Sequence, residues 1–233
     1  MLLVDIDEPG LAETEALIGD AGGEAPVFRA DVSDEVHVRA YVAEAMSRFG
    51  RIDAFFNNAG IRGAVAPLID YPITTFDRVI AVNLRGVFLG LRFVLPVMIE
   101  QRAGSIINTG SMASAGGTPG VTAYNAAKHA VIGLTKTAAI EGGAYRGTRE
   151  RRAARQHPDQ DGPQFRRPRD AENQRLAARL VPQGRMGTAE EIANAVCFLV
   201  SDAATHITGI ELPVDGGVLA STYGTAYGTG VSS

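Results

Sequence analysis

Short apolar runs alternate with helix-length stretches along most of this 233-residue chain, and that alternation restricts the architectures open to it. Leu2-Leu3-Val4 ends at Asp5 and predicts a strand. Pro9 to Asp20 carries Leu11, Leu17 and Ile18 at helical spacing and stops at Gly22-Gly23. Pro26 to Ala30 predicts a second strand. Ser33-Asp34-Glu35 then opens a helix with apolar positions at Val38, Val42, Ala45 and Met46, closed by Gly50. Ile52 to Phe56 predicts a third strand, running into Asn57-Asn58-Ala59-Gly60. Two helices follow, over Thr74 to Ile80 and Asn83 to Gln101, then a strand over Gly104 to Asn108. A loop rich in Gly, Ser and Ala spans Thr109 to Val121, and a helix runs from Thr122 to Glu141. Further on, Thr188-Ala189-Glu190-Glu191 caps a helix to Val200, and Ile210 to Val214 predicts a short strand. Strands separated by helices make a parallel sheet covered on both faces, an α/β doubly wound fold in a single domain over residues 1–233. Such sheets bind ligands at the carboxyl ends of their strands, where Asp5, Asn57 to Gly60 and Ser111 fall.

Composition narrows the function classes. A net charge of −4 gives no overall field favouring nucleic acid or anionic membranes. Cys197 is the only cysteine, so no internal disulfide can form, and its apolar neighbours Val196, Phe198 and Leu199 predict a buried thiol. Met1-Leu2-Leu3-Val4 is too short for a secretory core and is followed at once by Asp5 and Asp7. Val79 to Ile99 is greasy but contains Asn83, Arg85, Arg92 and Pro96, which predicts a buried helix and not a membrane span. A cytoplasmic protein is expected. His37, His129, His157 and His206 show no metal-ligand spacing, so no metal site is expected.

Tyr124-Asn125-Ala126-Ala127-Lys128 places a phenol and an ammonium one helical turn apart on one face. A nearby cation favours the phenolate and makes tyrosine a usable acid and base near neutral pH. Ser111 lies upstream of the pair, just after a strand, where a hydroxyl can donate to a substrate oxygen as charge builds on it. Asn83 stands at a predicted helix start, and Asn57-Asn58-Ala59-Gly60 lets backbone approach a ligand closely.

With these residues in this order, and with Gly184-Arg185-Met186 and Val214-Asp215-Gly216-Gly217 near the end, the chain resembles the classical short-chain dehydrogenase/reductases over Leu2 to Glu141 and Leu180 to Ala220. The resemblance implies a Rossmann-like fold and hydride transfer between a nicotinamide cofactor and a secondary alcohol or ketone. It implies that Tyr124 exchanges the proton, Lys128 depresses the tyrosine pKa and binds the nicotinamide ribose, Ser111 holds the substrate oxygen, and Asn83 orders a water relay to Lys128. Asp31 and Val32 match the adenine contact, and Asn58, Ala59 and Gly60 match the lining of the cofactor cleft. Asp5 ends its strand as a carboxylate able to accept from ribose hydroxyls and to repel a 2′-phosphate, with no arginine beside it, which predicts NAD(H) over NADP(H). The family's habit implies a homotetramer formed through the helices matching Asn83 to Gln101 and Thr122 to Glu141, a small-molecule substrate, and no nucleic-acid or membrane partner.

Two departures from the family pattern stand out. The chain is expected to begin at the second strand, lacking the first β-α unit with its glycine-rich phosphate turn. Arg146 to Arg169 holds eight arginines, three prolines and no Val, Ile, Leu or Met, so an irregular segment is expected there and a buried parallel strand is not. Taking the last two bases of each codon with the first of the next, Thr148 through Pro163 can spell RVNAVLPGNIRTRMVR. That is the strand, Pro-Gly and Thr-x-Met the family carries at this place, so a compensated frameshift is expected. A rival reading is a basic loop for nucleic acid or an acidic partner, but Phe165 is the only aromatic residue interleaved in it. The alternative for the whole chain is a catalytically inactive remnant of the family.

Overall fold

The structure is a computed structural model that describes residues 1–145, 148–155 (as backbone), 178 and 181–220. Strands β1 (Leu3–Asp5) and β2 (Val27–Arg29) pair in parallel, with Leu3 opposite Val27. Helix α1 (Glu8–Asp20) connects them, with Leu11 as its buried residue. Helix α2 (Glu35–Phe49) starts where the Asp34 carboxylate accepts from the Val36 and His37 N–H groups, and it ends at Gly50 in the left-handed region. Strand β3 (Ala54–Asn57) begins a second parallel sheet, ordered β3-β4-β5-β6. Its other members are β4 (Gly104–Ser111), β5 (Thr148–Arg155) and β6 (Glu211–Val214). The remaining helices are α3 (Ile73–Ile80), α4 (Gly86–Gln101), α5 (Thr122–Gly143) and α6 (Ala189–Val200).

Alternation along β4 sorts the core into two layers. Ile106 faces the cluster formed with Val38, Tyr41 and Val42 of α2, Val87, Leu91, Val94 and Met98 of α4, and Val131 and Ala138 of α5. Ile107 faces the opposite layer, against Leu199 of α6. The sheet is therefore covered on both faces, as a doubly wound fold requires. Burial of Leu, Ile and Val side chains contributes about 2 kcal/mol each, so these two layers carry most of the stability. β1 joins the core from its own two-stranded sheet, with Val4 and Phe28 packed on the first cluster.

Four details differ from the sequence expectation. The two helices predicted on either side of Asn83 form one continuous run from Ile73 to Gln101, joined by a wide π turn over Ala81–Arg85. Among the described residues this run is the one helix long and apolar enough to cross a membrane, and half of its most apolar window is buried inside the protein. β4 continues through Ser111, past the predicted end at Asn108, because it gains a pairing partner over all eight residues. That partner is β5, so the expectation of an irregular 146–169 segment does not hold for Thr148–Arg155; Gly104 stands opposite Thr148 and Ser111 opposite Arg155. The physical reason is that a ladder is made by backbone groups, which arginine supplies as well as valine does, and β4 and β6 present open edges on both sides. Residues 156–169, including the expected Thr-x-Met positions, lie outside the described residues, whereas the expected Pro-Gly positions 154 and 155 fall within β5. Finally, Cys197 is exposed, since it falls off the face of α6 that buries Ile192 and Leu199.

Candidate active site

The residues singled out by chemistry gather at the carboxyl ends of β1, β3 and β4 and on the first turns of α5. Lys128 lies 5.6 Å from the centre of the Tyr124 ring, measured from its ammonium nitrogen. Lys128 is only 3 % exposed, and its Nζ donates to the Thr109 carbonyl of β4 at 2.9 Å. A buried cation is costly unless it is hydrogen-bonded, and this carbonyl gives it a fixed seat beside the phenol.

Ser111 is the last residue of β4, two residues beyond Thr109. Its Oγ accepts from the Ala113 N–H at 3.1 Å, and its own N–H donates to Ser114 Oγ at 3.2 Å. This reciprocal cap holds the short turn Met112–Ser114. A hydroxyl that accepts from the backbone still has its proton to give, and acceptance polarises it as a donor.

Asn83 is fully buried inside the π turn and not at a helix start. Its Nδ2 donates to the Ile61 carbonyl and its Oδ1 accepts from the Ile61 N–H, both at 2.7 Å. The side chain thus pins the backbone that follows Gly60, and does not itself reach out to Lys128. A Cβ on Gly60 would lie 3.3 Å from Asn83 Oδ1 and 3.8 Å from Lys128 Nζ, so Gly60, Asn83 and Lys128 converge on one spot. Only a residue without a side chain allows that approach at so little cost.

A cleft of about 120 Å³ separates β1 from β3 and is lined by Val4, Asp5, Val32, Asn58, Ala59 and Val82. Asp5 is exposed at its rim, with Oδ1 accepting from the Ile6 and Asp7 N–H groups at 2.7 and 3.0 Å. Those two bonds hold the carboxylate in one orientation. Asn58 Oδ1 accepts from Thr109 Oγ1 at 2.9 Å, which ties β3 to β4 beside the Lys128 seat. Asp31 binds Ser33 through Oδ1 and Arg78 through Oδ2. Burial pushes its carboxyl up, but the Ser33 and Arg78 hydrogen bonds outweigh that and hold it below the usual range. Val32 packs its side chain and carbonyl against Gly86, where a Cβ would meet them at 3.0 and 3.2 Å.

Of the residues the sequence singles out, Asp5, Val32, Asn58 and Ala59 line the cleft, Gly60, Asn83 and Tyr124 stand around Lys128, Ser111 lies two residues beyond Thr109 on β4, and Asp31 is held by Ser33 and Arg78. Sequence reasoning overlooked Thr109, whose carbonyl seats Lys128, and Gly90, where a Cβ would fall 2.6 Å from Asn57 Oδ1. A glycine inside a long apolar helix was the available signal for the second.

The late motifs serve a neighbouring turn. Arg185 forms a two-pronged ion pair with Glu191 at 2.7 and 2.9 Å, and Glu191 also accepts from the Thr188 N–H that opens α6. The Arg185 guanidinium, and then the Thr188 N–H, lower the Glu191 carboxyl to about 2 from 4.5. A depressed carboxylate stabilises the fold fully above its unfolded value and loses that contribution as pH falls through the folded one. Glu191→Gln is therefore expected to melt below the parent protein at neutral pH. The gap should close as pH drops from 4.5 to about 2, and thermal melts across that range check it. Both groups are exposed, so the gap is expected to be small and to shrink with salt.

A doubly wound sheet with a Tyr-Lys helix against its fourth strand defines a class, and the comparisons agree. A family model described as enoyl-(acyl carrier protein) reductase matches residues 1–219, and the chain belongs to the short-chain dehydrogenase/reductase family, oxidoreductases that use a nicotinamide cofactor. Levodione reductase of Leifsonia aquatica is 42 % identical over 226 residues, covering 92 % of this chain and 83 % of the relative. A crystal structure of levodione reductase superposes with a TM-score of 0.87 at 39 % identity, covering 95 % of this chain and 88 % of that one. An NAD⁺-bound xylitol dehydrogenase gives 0.83 at 35 % identity, covering 93 % and 88 %. A gluconate 5-dehydrogenase of Burkholderia cenocepacia, in complex with NADP and tartrate, gives 0.84 at 31 % identity, covering 94 % and 85 %.

Proposed function

We propose that this chain is an NAD(H)-dependent oxidoreductase that interconverts a secondary alcohol and a ketone, with Tyr124 as its acid and base. The observation that carries the reading is the Lys128 ammonium seated on the Thr109 carbonyl beside the Tyr124 ring. In oxidation Tyr124 takes the alcohol proton, and in reduction it returns a proton to the carbonyl oxygen. Lys128 favours the phenolate by its charge. Ser111 donates to the same substrate oxygen and stabilises the charge that gathers there. Asn83 fixes the backbone after Gly60, which keeps the approach to Lys128 open. The nicotinamide, when bound, supplies or removes the hydride equivalent at the carbinol carbon.

The mouth of the cleft offers groups suited to the adenosine ribose of such a cofactor. Its mouth holds an oriented carboxylate, Asp5, beside the apolar walls Val32 and Ala59 and the amide of Asn58. Asp31, committed to Ser33 and Arg78, shapes the adenine side by holding the loop that carries Val32. The relatives include NAD and NADP users, and Asp5 decides between them by charge. Turnover is expected to favour NADH over NADPH by about tenfold or more, the size of a single misplaced charge at a binding site. Asp5→Ala should narrow the ratio, and a parent protein faster with NADPH would overturn the assignment.

A homotetramer in the cytoplasm, acting on a small alcohol or ketone, completes the reading. Phe88 and Ile140 are exposed on α4 and α5, beside an apolar groove lined by Leu91, Leu95 and Leu134. A second copy of the chain would cover that face.

One observation favours a second reading, an inactive relative: β5 carries Arg149, Glu150, Arg151, Arg152 and Arg155 between two neighbouring strands. A shifted reading frame over Thr148 to Pro163 accounts for that composition, and the gene's nucleotide sequence tests it directly. Titration with NADH followed by its fluorescence separates the readings, because tight saturable binding belongs to a live enzyme and none to the remnant.

A further inference from the structure

A chain of polar side chains crosses the first core layer. Asn57 Nδ2 donates to Asn108 Oδ1 at 2.9 Å, Asn108 Nδ2 donates to Thr135 Oγ1 at 3.0 Å, and Thr135 Oγ1 donates to the Val131 carbonyl at 2.8 Å. Asn108 is fully buried on β4 and Thr135 is 1 % exposed on α5. Burying such groups costs desolvation that their bonds only offset, and apolar residues of the same shape would pack here with no such cost. Stability alone therefore gives no reason for them. Hydrogen bonds differ from apolar contacts in having direction, so they select one register where greasy surfaces can slide.

The register in question bears on the reacting groups. Thr135 sits two turns beyond Lys128, on the same face of α5. Asn108 holds Thr135, and the next residue of β4, Thr109, holds the Lys128 ammonium through its carbonyl. Helix α5 is thus tied to β4 at two consecutive strand residues. Asn57 extends the tie to β3, next to Asn58, which Thr109 Oγ1 also engages. We propose that the Asn108–Thr135 hydrogen bond is a positioning contact that sets the axial place of α5 on β4, and through it the position of the Lys128 ammonium and of Tyr124. The proposal rests on the oxidoreductase reading for its effect on rate, though not for its effect on Lys128.

The sequence supplies a probe. Lys128 and Lys136 are the only lysines, so lysine labelled with ¹⁵N at Nζ gives at most two ammonium signals, and Lys136→Arg assigns them. Lys136 pairs with Glu211 at the surface, far less buried than Lys128. Thr135→Val, which keeps the shape and loses the hydroxyl, is expected to shift or broaden the Lys128 signal. It should lower kcat by about tenfold or more, the scale of a small misplacement, and leave the KM for NAD within about twofold. Thr135→Ser should restore both readouts. If the valine variant does not fold, Thr135→Cys carries the same readouts with a weaker donor. A lower melting temperature with the Lys128 signal and kcat both unchanged would overturn the proposal. If the parent protein turns over no nicotinamide cofactor, the oxidoreductase reading fails by itself. The Lys128 signal then still decides the contact: a shift in Thr135→Val supports it and an unchanged signal overturns it.

Discussion

Tyr124→Phe is expected to lower turnover by about a thousandfold while the protein keeps its fold and its affinity for NADH. The change removes one oxygen and nothing else from the ring that stands by Lys128. Tyr124 is only partly buried, so its loss leaves the apolar contacts of α5, carried by Ala127 and Val131, untouched. The lost factor is that of a positioned proton donor and acceptor, since Ser111 can still polarise the substrate oxygen but cannot take its proton away. Initial rates for ketone reduction, read with NADH fluorescence titration of the same sample, check both halves. A variant with near-parent rates would remove Tyr124 from the chemistry. One that no longer bound NADH would make it a binding residue first.

Replacing Thr148 through Pro163 by RVNAVLPGNIRTRMVR should raise the unfolding temperature by roughly 10 °C, a gain of about 3 kcal/mol at this chain length. In the observed register, positions 149 and 151 lie opposite Ser105 and Ile107, and position 152 lies opposite Asn108. The chain places arginine at all three, where the replacement places Val, Ala and Val. Charged residues in a strand flanked on both sides cost several kcal/mol in desolvation unless each finds a partner, whereas branched apolar residues suit such a strand. The Pro-Gly of the replacement would fall at 154 and 155 and close the strand earlier. Scanning calorimetry of the two proteins decides it, and an unchanged or lower transition would remove the case for the alternative frame.

Local pattern carried most of this fold. The Asp34 cap, the Gly50 stop and the Thr188 capping box each sit where their residue types demand, because their partners are within a few positions along the chain. What stayed hidden depended on distant partners. Asn83 reads as the start of a helix, yet it lies inside a continuous one and its amide is satisfied by Ile61, well upstream in sequence. β4 reads as ending at Asn108, yet its last residues pair with a segment whose composition argues against a buried parallel strand. Cys197 was judged by its sequence neighbours, which on a helix face other directions. At the site, the Tyr124–Lys128 pair was legible because one helix carries both. The Thr109 seat was not legible, because a main-chain carbonyl has no residue type to betray it.

The π turn at Ala81–Arg85 also sets how the long helix is phased. One extra residue per such turn lets Val79 before it and Val87, Leu91 and Val94 after it all be buried. Deleting one residue of that turn would leave an ordinary helix in which Val79 and Val87 still stand about two full turns apart, so the downstream stripe keeps its phase. The sheet-facing stripe of α4 would stay on the core, and Asn83 would lose its aim at Ile61. A shortening by one residue here would therefore be felt at the site that Asn83 holds and not along the helix, since the wide turn is where the extra residue is taken up.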